Sequence, residues 1–238
     1  MHYIPFLSTL VTFIFVAGVF NRYRYKKGKH LLFWGIGLVF FGLGTLSEVV
    51  MSFTYSTAVL KLWYLSGAML TAAWLGQGTV FLLVRKRGWA AGLATGLILL
   101  SLISAVLIAL APVTEAASTY NTAMPISTQY KDILVRSGAI TLLTVLFNIY
   151  GTLGLVGGAL YSAFLFWRKR VLANRMVGNV LIAGGALLPA MAGSFVQAGI
   201  VDALYVSELL GVILMYVGFL QATAPQTDRA AQPAISAR

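Results

Sequence analysis

The chain has 238 residues, of which 59% are hydrophobic and only 10% charged, and its mean hydropathy is +0.87. A soluble domain carries charge on about a quarter of its residues, so this composition indicates an all-α integral membrane protein. The sequence has no cysteine, which excludes disulfides, thiolate chemistry and cysteine-based metal sites. The net charge of +11 does not indicate nucleic-acid binding, because the basic residues stand in short clusters between apolar runs.

Seven apolar runs are long enough to cross a bilayer as helices, since about 20 residues span the ~30 Å hydrocarbon core. The first has no basic segment before it and no small-residue cleavage site after it, so we interpret it as a retained span. The predicted spans are residues 3–20, 31–53, 61–84, 89–111, 137–167, 176–198 and 202–221, in one transmembrane domain covering 1–222.

Two further segments lie outside these spans. The longest loop, residues 112–136, contains two prolines and has room for a short helix or a lid. The polar, alanine-rich tail, residues 223–238, is expected to be disordered in the cytoplasm.

Lysine and arginine are distributed unevenly over the two sides of the predicted bundle. Five follow span one, three follow span three and four follow span five, whereas Lys61, Lys131 and Arg136 lie on the opposite side. Cytoplasmic loops carry an excess of these residues, so we predict the N-terminus outside and the C-terminus in the cytoplasm.

A weak internal repeat accompanies this topology. Residues 64–66 (Tyr-Leu-Ser), near the start of span three, match residues 205–207 (Tyr-Val-Ser), near the start of span seven. The same offset aligns span one with span five and span two with span six. The pattern is that of two parallel three-helix units joined by span four, a 3+1+3 arrangement found in some transporters and related sensors.

The seven-helix layout resembles the microbial rhodopsin architecture, although the likeness is one of topology and includes no diagnostic motif. That family attaches retinal through a lysine in its last helix, and span seven contains no lysine, so a retinal Schiff base is not expected. The layout is also similar to small sugar transporters and PQ-loop proteins. Their Pro-Gln signature is missing from the spans, and Pro225-Gln226 lies in the tail.

Two predicted spans contain a carboxylate. A carboxylate inside a span costs about 2.5 to 3.5 kcal/mol on insertion scales, so it normally faces a protein interior or a wet cavity. Glu48 lies about 25 Å from the cytoplasmic end of span two at 1.5 Å per residue, and Glu208 about 9 Å below the outer surface. Both carboxylates therefore fall in the outer half of the membrane.

We therefore predict a polar pocket that opens outward, with Glu48 and Glu208 as an anionic pair. Lys61 and Arg136 are the candidate counter-ions. The residues expected to bind a ligand are Glu48, Glu208, Lys61, Tyr64, Gln77, Asn148, Gln197 and Tyr205.

A structural alternative stands beside each of these roles. Glu208 is near enough to the interface to reach water by snorkelling, and Glu48 is also compatible with a bond between helices. Gln77 and Asn148 are more often amides that join helices than ligands. The glycines of spans two and five most simply allow close helix contact.

Enzyme chemistry is not expected. His2 and His30 are predicted on opposite sides of the membrane, so they supply neither a metal hydrolase site nor a bis-histidine haem site. The sequence contains no nucleophile elbow and no phosphate-binding loop. No cofactor is predicted.

Two classes of function remain open. The first is a small carrier of a cation, proton or small polar solute, in which Pro189 gives span six a hinge. The second is a receptor or sensory module that binds a small ligand from outside and signals to a cytoplasmic partner protein. The expected surroundings are the lipid bilayer of the plasma (inner) membrane, with no nucleic-acid partner.

Overall fold

The computed structural model describes residues 3–84, 86, 88–169, 173–197 and 203–224. The predicted tail from residue 225 onward lies outside these ranges. The regular elements within them are helices, and one antiparallel bridge joins Val113 to Leu134.

Eight helices organise the described part of the chain, and two of them contain a π-helical stretch. These two stretches are Tyr64–Leu70 and Leu153–Gly157. The helices are α1 (Tyr3–Lys26), α2 (Lys29–Met51), α3 (Thr57–Leu83), α4 (Trp89–Leu110), α5 (Ile126–Ile133), α6 (Gly138–Arg168), α7 (Ala173–Gln197) and α8 (Ala203–Thr223).

Among the described residues, six helices are long and apolar enough to cross a membrane: α1, α2, α3, α4, α6 and α8. This confirms the predicted all-α, multi-pass membrane class. The six do not include α7 (Ala173–Gln197). The predicted count of seven spans therefore stays a prediction.

Two helices, α1 and α3, extend furthest beyond the predicted spans. α1 continues beyond residue 20 to Lys26, so part of the first basic cluster is helical, and Lys27 ends it with a positive φ of 51°. α3 begins at Thr57, four residues before the predicted start, because the Ser56 hydroxyl accepts a hydrogen bond from the Val59 amide.

The long helices form a closed ring in the order α1, α2, α3, α6, α7, α8 and back to α1. α4 packs against α3 and α6 and directs a row of apolar side chains away from them, including Leu99, Leu102 and Val106. The ring follows the order of the helices along the chain, with α4 and α5 left out of it, and it brings α2, α3 and α8 to the same interior.

Glycines set the closest helix crossings, as predicted for spans two and five. A Cβ atom on Gly76 would lie 2.8 Å from the Cα of Gly151, where α3 meets α6. A Cβ atom on Gly185 or Gly211 would lie 2.6 Å from the carbonyl oxygen of the other, where α7 meets α8. These backbones approach each other only because both sides lack a side chain.

The loop between α4 and α6 folds over one end of the ring. It contains a 3₁₀ turn, Glu115–Thr119, followed by α5. Backbone hydrogen bonds from Thr114 to Ile133 and from Val135 to Pro112 hold its two ends together. We call residues 111–137 the lid, the end of the ring beneath it the lid end, and the opposite end, near Arg24 and Lys86, the basic end.

Candidate functional site

Glu48 on α2 and Glu208 on α8 lie within hydrogen-bonding range of each other inside the ring. Glu48 is only 2% exposed, and its Oε1 accepts a hydrogen bond of 3.0 Å from the indole Nε1 of Trp63. The Oε2 atoms of both acids are buried, and neither receives a hydrogen bond from an N–H or O–H group of the described residues. Since a carboxylate has no hydrogen to donate, the two acids can bond each other only when one carries a proton.

The packing of α2 explains how Glu48 reaches this position. At Gly44 the helix backbone contacts that of Gly67, which brings the π-helical stretch of α3 and the Trp63 indole close to α2. One turn before Glu48, Thr45 accepts a 3.0 Å hydrogen bond from Thr9 of α1. Contacts with α3 on one side and with α1 on the other therefore fix the position of α2 near the Glu48 carboxylate.

A cavity of about 360 Å³ opens beside the carboxyl pair. Its walls come from α2, α3, α6, α7 and α8, and α5 of the lid covers it. Glu208 and Trp63 line it directly, and Lys131 of the lid adds a cation at its edge. Ligand pockets in proteins measure roughly 300–1,000 Å³, so this cavity is large enough for a small organic molecule.

The polar lining is sparse. The Ser127 hydroxyl oxygen of the lid lines the cavity, is buried and has no hydrogen-bond partner in the described part of the chain. Asn148 also lines it, but its Nδ2 already donates 2.9 Å hydrogen bonds to the carbonyls of Ala68 and Thr144. Beside the cavity, the buried side-chain oxygens without a hydrogen-bond partner among the described residues are therefore the Oε2 atoms of the carboxyl pair and the Ser127 hydroxyl.

Toward the basic end the cavity gives way to packed apolar side chains, which we call the apolar floor. They come from α1, α2, α3, α6 and α8. The buried members are Phe15, Val19, Leu31, Leu38, Phe41, Leu75, Leu155, Val212, Met215 and Phe219.

The lid covers the pair with aromatic rings. The ring centroid of Tyr130 lies 5.2 Å from that of Trp63 and 5.7 Å from that of Tyr64, and the Arg136 guanidinium lies 5.2 Å from the Tyr130 ring. Burial raises the pKa of Tyr130, an effect that Arg136 opposes. Burial, with a contribution from the Glu48 charge, raises the pKa of Tyr120 to about 12.

The structure brings some of the predicted site residues together. Glu48, Glu208 and Asn148 surround or line the cavity, and Tyr205 is buried one turn before Glu208. Tyr64 is buried beneath Tyr130 and shares a 3.1 Å hydrogen bond with Thr144.

Other predicted site residues have different neighbours. The Lys61 ammonium donates a 2.8 Å hydrogen bond to the Ala109 carbonyl of α4, away from the cavity. Gln77 donates to the Ala90 carbonyl and accepts a hydrogen bond from the Tyr150 hydroxyl, which makes it a link between α3, α4 and α6. Gln197 ends α7, and its side chain lies outside what the structure describes. Lys61 and Gln77 do not contribute to the lining of this cavity.

Sequence reasoning missed Trp63, Tyr130, Ser127 and Lys131 as parts of the site. The lid residues lie in a connector whose path over the ring depends on tertiary contacts. The available signal was the hydrophobic pattern of α5, whose buried residues Ile126 and Ile133 fall on one face.

Comparison of the chain with protein-family models, with curated proteins and with solved structures found no match. The functional proposal therefore depends on the geometry of the cavity and its carboxyl pair.

Proposed function

We propose that the protein is a small carrier that moves a cation or a small solute across the membrane and couples this movement to a proton. The observation that supports the proposal is the Glu48–Glu208 pair beside the cavity. The pair can hold one proton between its oxygens or release it to receive a positive charge. Buried acids of this kind form proton relays in pumps and transporters.

The proposed topology is seven spans, with α7 as the span that follows α6. α7 is 25 residues long and packs along α8, which is itself long and apolar enough to cross the membrane. The positive-inside rule then places the lid and the N-terminus outside and the basic end in the cytoplasm of a plasma (inner) membrane.

Within this topology we favour the 3+1+3 arrangement over a rhodopsin-like layout. α4 lies against α3 and α6, and the residues lining the cavity come from the other helices and the lid. The offset that matches residues 64–66 with 205–207 also matches Gly44 with Gly185. Gly44 meets Gly67 where α2 crosses α3, and Gly185 meets Gly211 where α7 crosses α8. Two such units rocking against each other would expose the cavity alternately to the two sides.

The absence of cysteine makes the topology testable with single-cysteine variants. Ser118→Cys lies on the exposed part of the lid and Lys86→Cys at the basic end. We expect a membrane-impermeant maleimide to label Ser118→Cys in intact cells and Lys86→Cys only after lysis. The reverse pattern would contradict the proposed orientation.

Carrier activity is tested by flux into reconstituted vesicles. Vesicles loaded with the pH dye pyranine receive Na⁺, K⁺ or 2-phenylethylammonium chloride outside, and the internal pH is followed. We expect wild type and the exposed-loop control Glu115→Gln to show a proton flux that Glu48→Gln lacks. Passive permeation is the same in all three preparations, so the difference in flux measures the activity of the protein. Equal background flux in all three would rule out the carrier.

The apolar floor favours one second candidate, a receptor. Leu38, Leu75 and Met215 belong to a buried apolar cluster toward the basic end, and the void that they line there measures only about 40 Å³. A receptor needs no opening there and would pass a change in helix position to a cytoplasmic partner at the basic end. Ligand binding without flux would support this candidate.

A further inference from the structure

We propose that the cavity takes a small primary ammonium ion on an apolar body, and that its binding displaces one proton from the Glu48–Glu208 pair. This inference rests on the proposed binding function of the same cavity. It is supported by the charge of the pair, the chemistry of the wall beside it and the shape of the remaining space.

The carboxyl pair requires a hydrogen-bond donor that carries a positive charge. Both Oε2 atoms are buried and without a hydrogen-bond donor among the described residues, and Glu208 lines the cavity. An anion brought here would face like charge, and an alcohol would supply one hydrogen to two acids. A primary ammonium carries three N–H donors and so can bond both carboxylates at once.

A metal ion fits the same position poorly. Calcium takes about six to eight oxygen ligands, and the wall next to the pair offers an indole and aliphatic side chains, Trp63 and Leu204, besides Thr45. No cluster of three or more metal-ligating side chains occurs among the described residues. The Trp63 indole instead suits an organic cation, because an aromatic face attracts ammonium groups.

The rest of the cavity suits an apolar body. Its depth is lined by Phe41, Leu75, Leu155, Val156 and Met215. A hydrocarbon ring or chain would contact these side chains while its ammonium group remained at Glu208. A strongly polar body would lose its hydration there without replacement.

Proton displacement follows from charge balance. Before binding, one acid is protonated and donates its O–H to the other carboxylate. When R–NH₃⁺ arrives, that O–H bond breaks, the proton leaves to solvent, and two carboxylates then bond one ammonium. The site has a net charge of minus one before binding and again afterwards.

Other titratable groups near the pair are unsuited to supply this proton. Tyr120 and Tyr130 face it from the lid, and burial raises the pKa of both, to about 12 for Tyr120. Tyr205 lies one turn from Glu208 on α8. Lys131, at the cavity edge, is exposed to solvent and adds a positive charge that is screened by water.

The test is calorimetric titration of the purified full-length protein in detergent with 2-phenylethylammonium, 2-phenylethanol and phenylacetate. Repeating each titration in two buffers of different ionisation enthalpy counts the protons released. We expect the ammonium to bind at least tenfold more tightly than the alcohol or the acid, with close to one proton released per ligand. We expect Glu208→Gln to weaken binding at least tenfold and Glu115→Gln to leave it unchanged.

Equal binding of the alcohol, binding without proton release, or full binding by Glu208→Gln would overturn the inference. A thermal melt of Glu208→Gln that matches wild type shows that lost binding is not lost folding, and Glu48→Gln provides a second variant of the pair. If 2-phenylethylammonium does not bind but Na⁺ or K⁺ drives a Glu48-dependent flux, this inference fails and the carrier stands. If it binds without flux, the carrier fails and this inference stands.

Discussion

Two buried polar side chains in this ring have opposite surroundings. Gln77 is fully buried on α3, and both ends of its amide are satisfied, one by the Ala90 carbonyl and the other by the Tyr150 hydroxyl. Glu48 on α2 is almost as buried, but only its Oε1 receives a hydrogen bond, from Trp63. Its Oε2 is buried and has no hydrogen-bond partner among the described residues.

The difference shows that burial of a polar group inside a membrane does not by itself mark a functional site. Gln77 and Glu48 were both predicted pocket residues because both are polar at depth, and for Gln77 a link between helices was the alternative. A satisfied amide fixes helices in place, whereas an unsatisfied acid pair beside a cavity keeps its capacity to bind. The predictions below separate these two kinds of region.

The largest effect is expected at the crossing of α3 and α6, which carries the Gln77 region. A Cβ atom on Gly151 would collide with the carbonyl group of Ala72, whereas one on Gly157, in the same helix, would meet nothing within 4 Å. We expect Gly151→Leu to destabilise the fold by about 3 kcal/mol or more, and Gly157→Leu to change it little. Thermal melting with yield in detergent measures both, and equal behaviour of the two variants would contradict this helix contact.

The direct comparison is Gln77→Leu against Glu48→Gln. Leucine at position 77 removes the hydrogen bonds that join Gln77 to the Ala90 carbonyl and to the Tyr150 hydroxyl, so we expect a loss of about 1 to 3 kcal/mol. Glutamine at position 48 still accepts from Trp63 and supplies a donor to Glu208, while removing a buried acid. We therefore expect its melting temperature to equal or exceed that of wild type. A larger loss in Glu48→Gln than in Gln77→Leu would reverse the roles assigned here.

How much the sequence predicts differs between the fold and the site. Hydrophobic run length identified the six helices that are long and apolar enough to cross a membrane, because a spanning segment must satisfy its backbone internally and present apolar side chains to lipid. Helix rise also predicted that Glu48 and Glu208 lie toward the same end of the bundle. That the two acids are neighbours depends on α1 closing the ring between α2 and α8, which no local pattern encodes.

The positions of Lys61, Tyr130 and Ser127 could not be predicted for a different reason. Lys61 lies near the start of α3, where its ammonium can turn either toward the ring or toward α4. It turns toward α4, because it donates a hydrogen bond to the Ala109 carbonyl. Tyr130 and Ser127 enter the site because the lid folds back, and the sequence shows only a long connector. Their position is a result of tertiary packing and not of helical periodicity.

A smaller effect is expected from the donor that holds Glu48. Trp63→Phe keeps an aromatic ring and removes the indole N–H, so the Glu48 oxygen loses its partner. Hydrogen bonds to charged groups contribute about 1.5 to 3 kcal/mol, so we expect a loss of about 2 kcal/mol. The control is Trp89→Phe, since Trp89 is 57% exposed. In a double-mutant cycle, we expect Trp63→Phe to destabilise the Glu48→Leu variant less than it destabilises wild type. An equal loss of stability in both backgrounds would show that the cost comes from packing alone.

The smallest effect concerns the lid at high pH. Tyr120 lies against Tyr55, with ring centroids 5.2 Å apart, and its pKa is raised to about 12 by burial, with the Glu48 charge adding to the effect. A tyrosine whose pKa is higher in the folded state contributes stability that is complete below about pH 10, its unfolded value, and is lost as the pH rises toward 12. We expect the melting temperature of wild type to fall between these values by slightly more than that of Tyr120→Phe, which cannot ionise there. Since Tyr120 is partly exposed, the difference should be small, and Tyr3→Phe, at an exposed position outside the lid, should not reproduce it. Identical pH profiles for wild type and Tyr120→Phe would mean that the lid does not hold this ring beside the carboxyl pair.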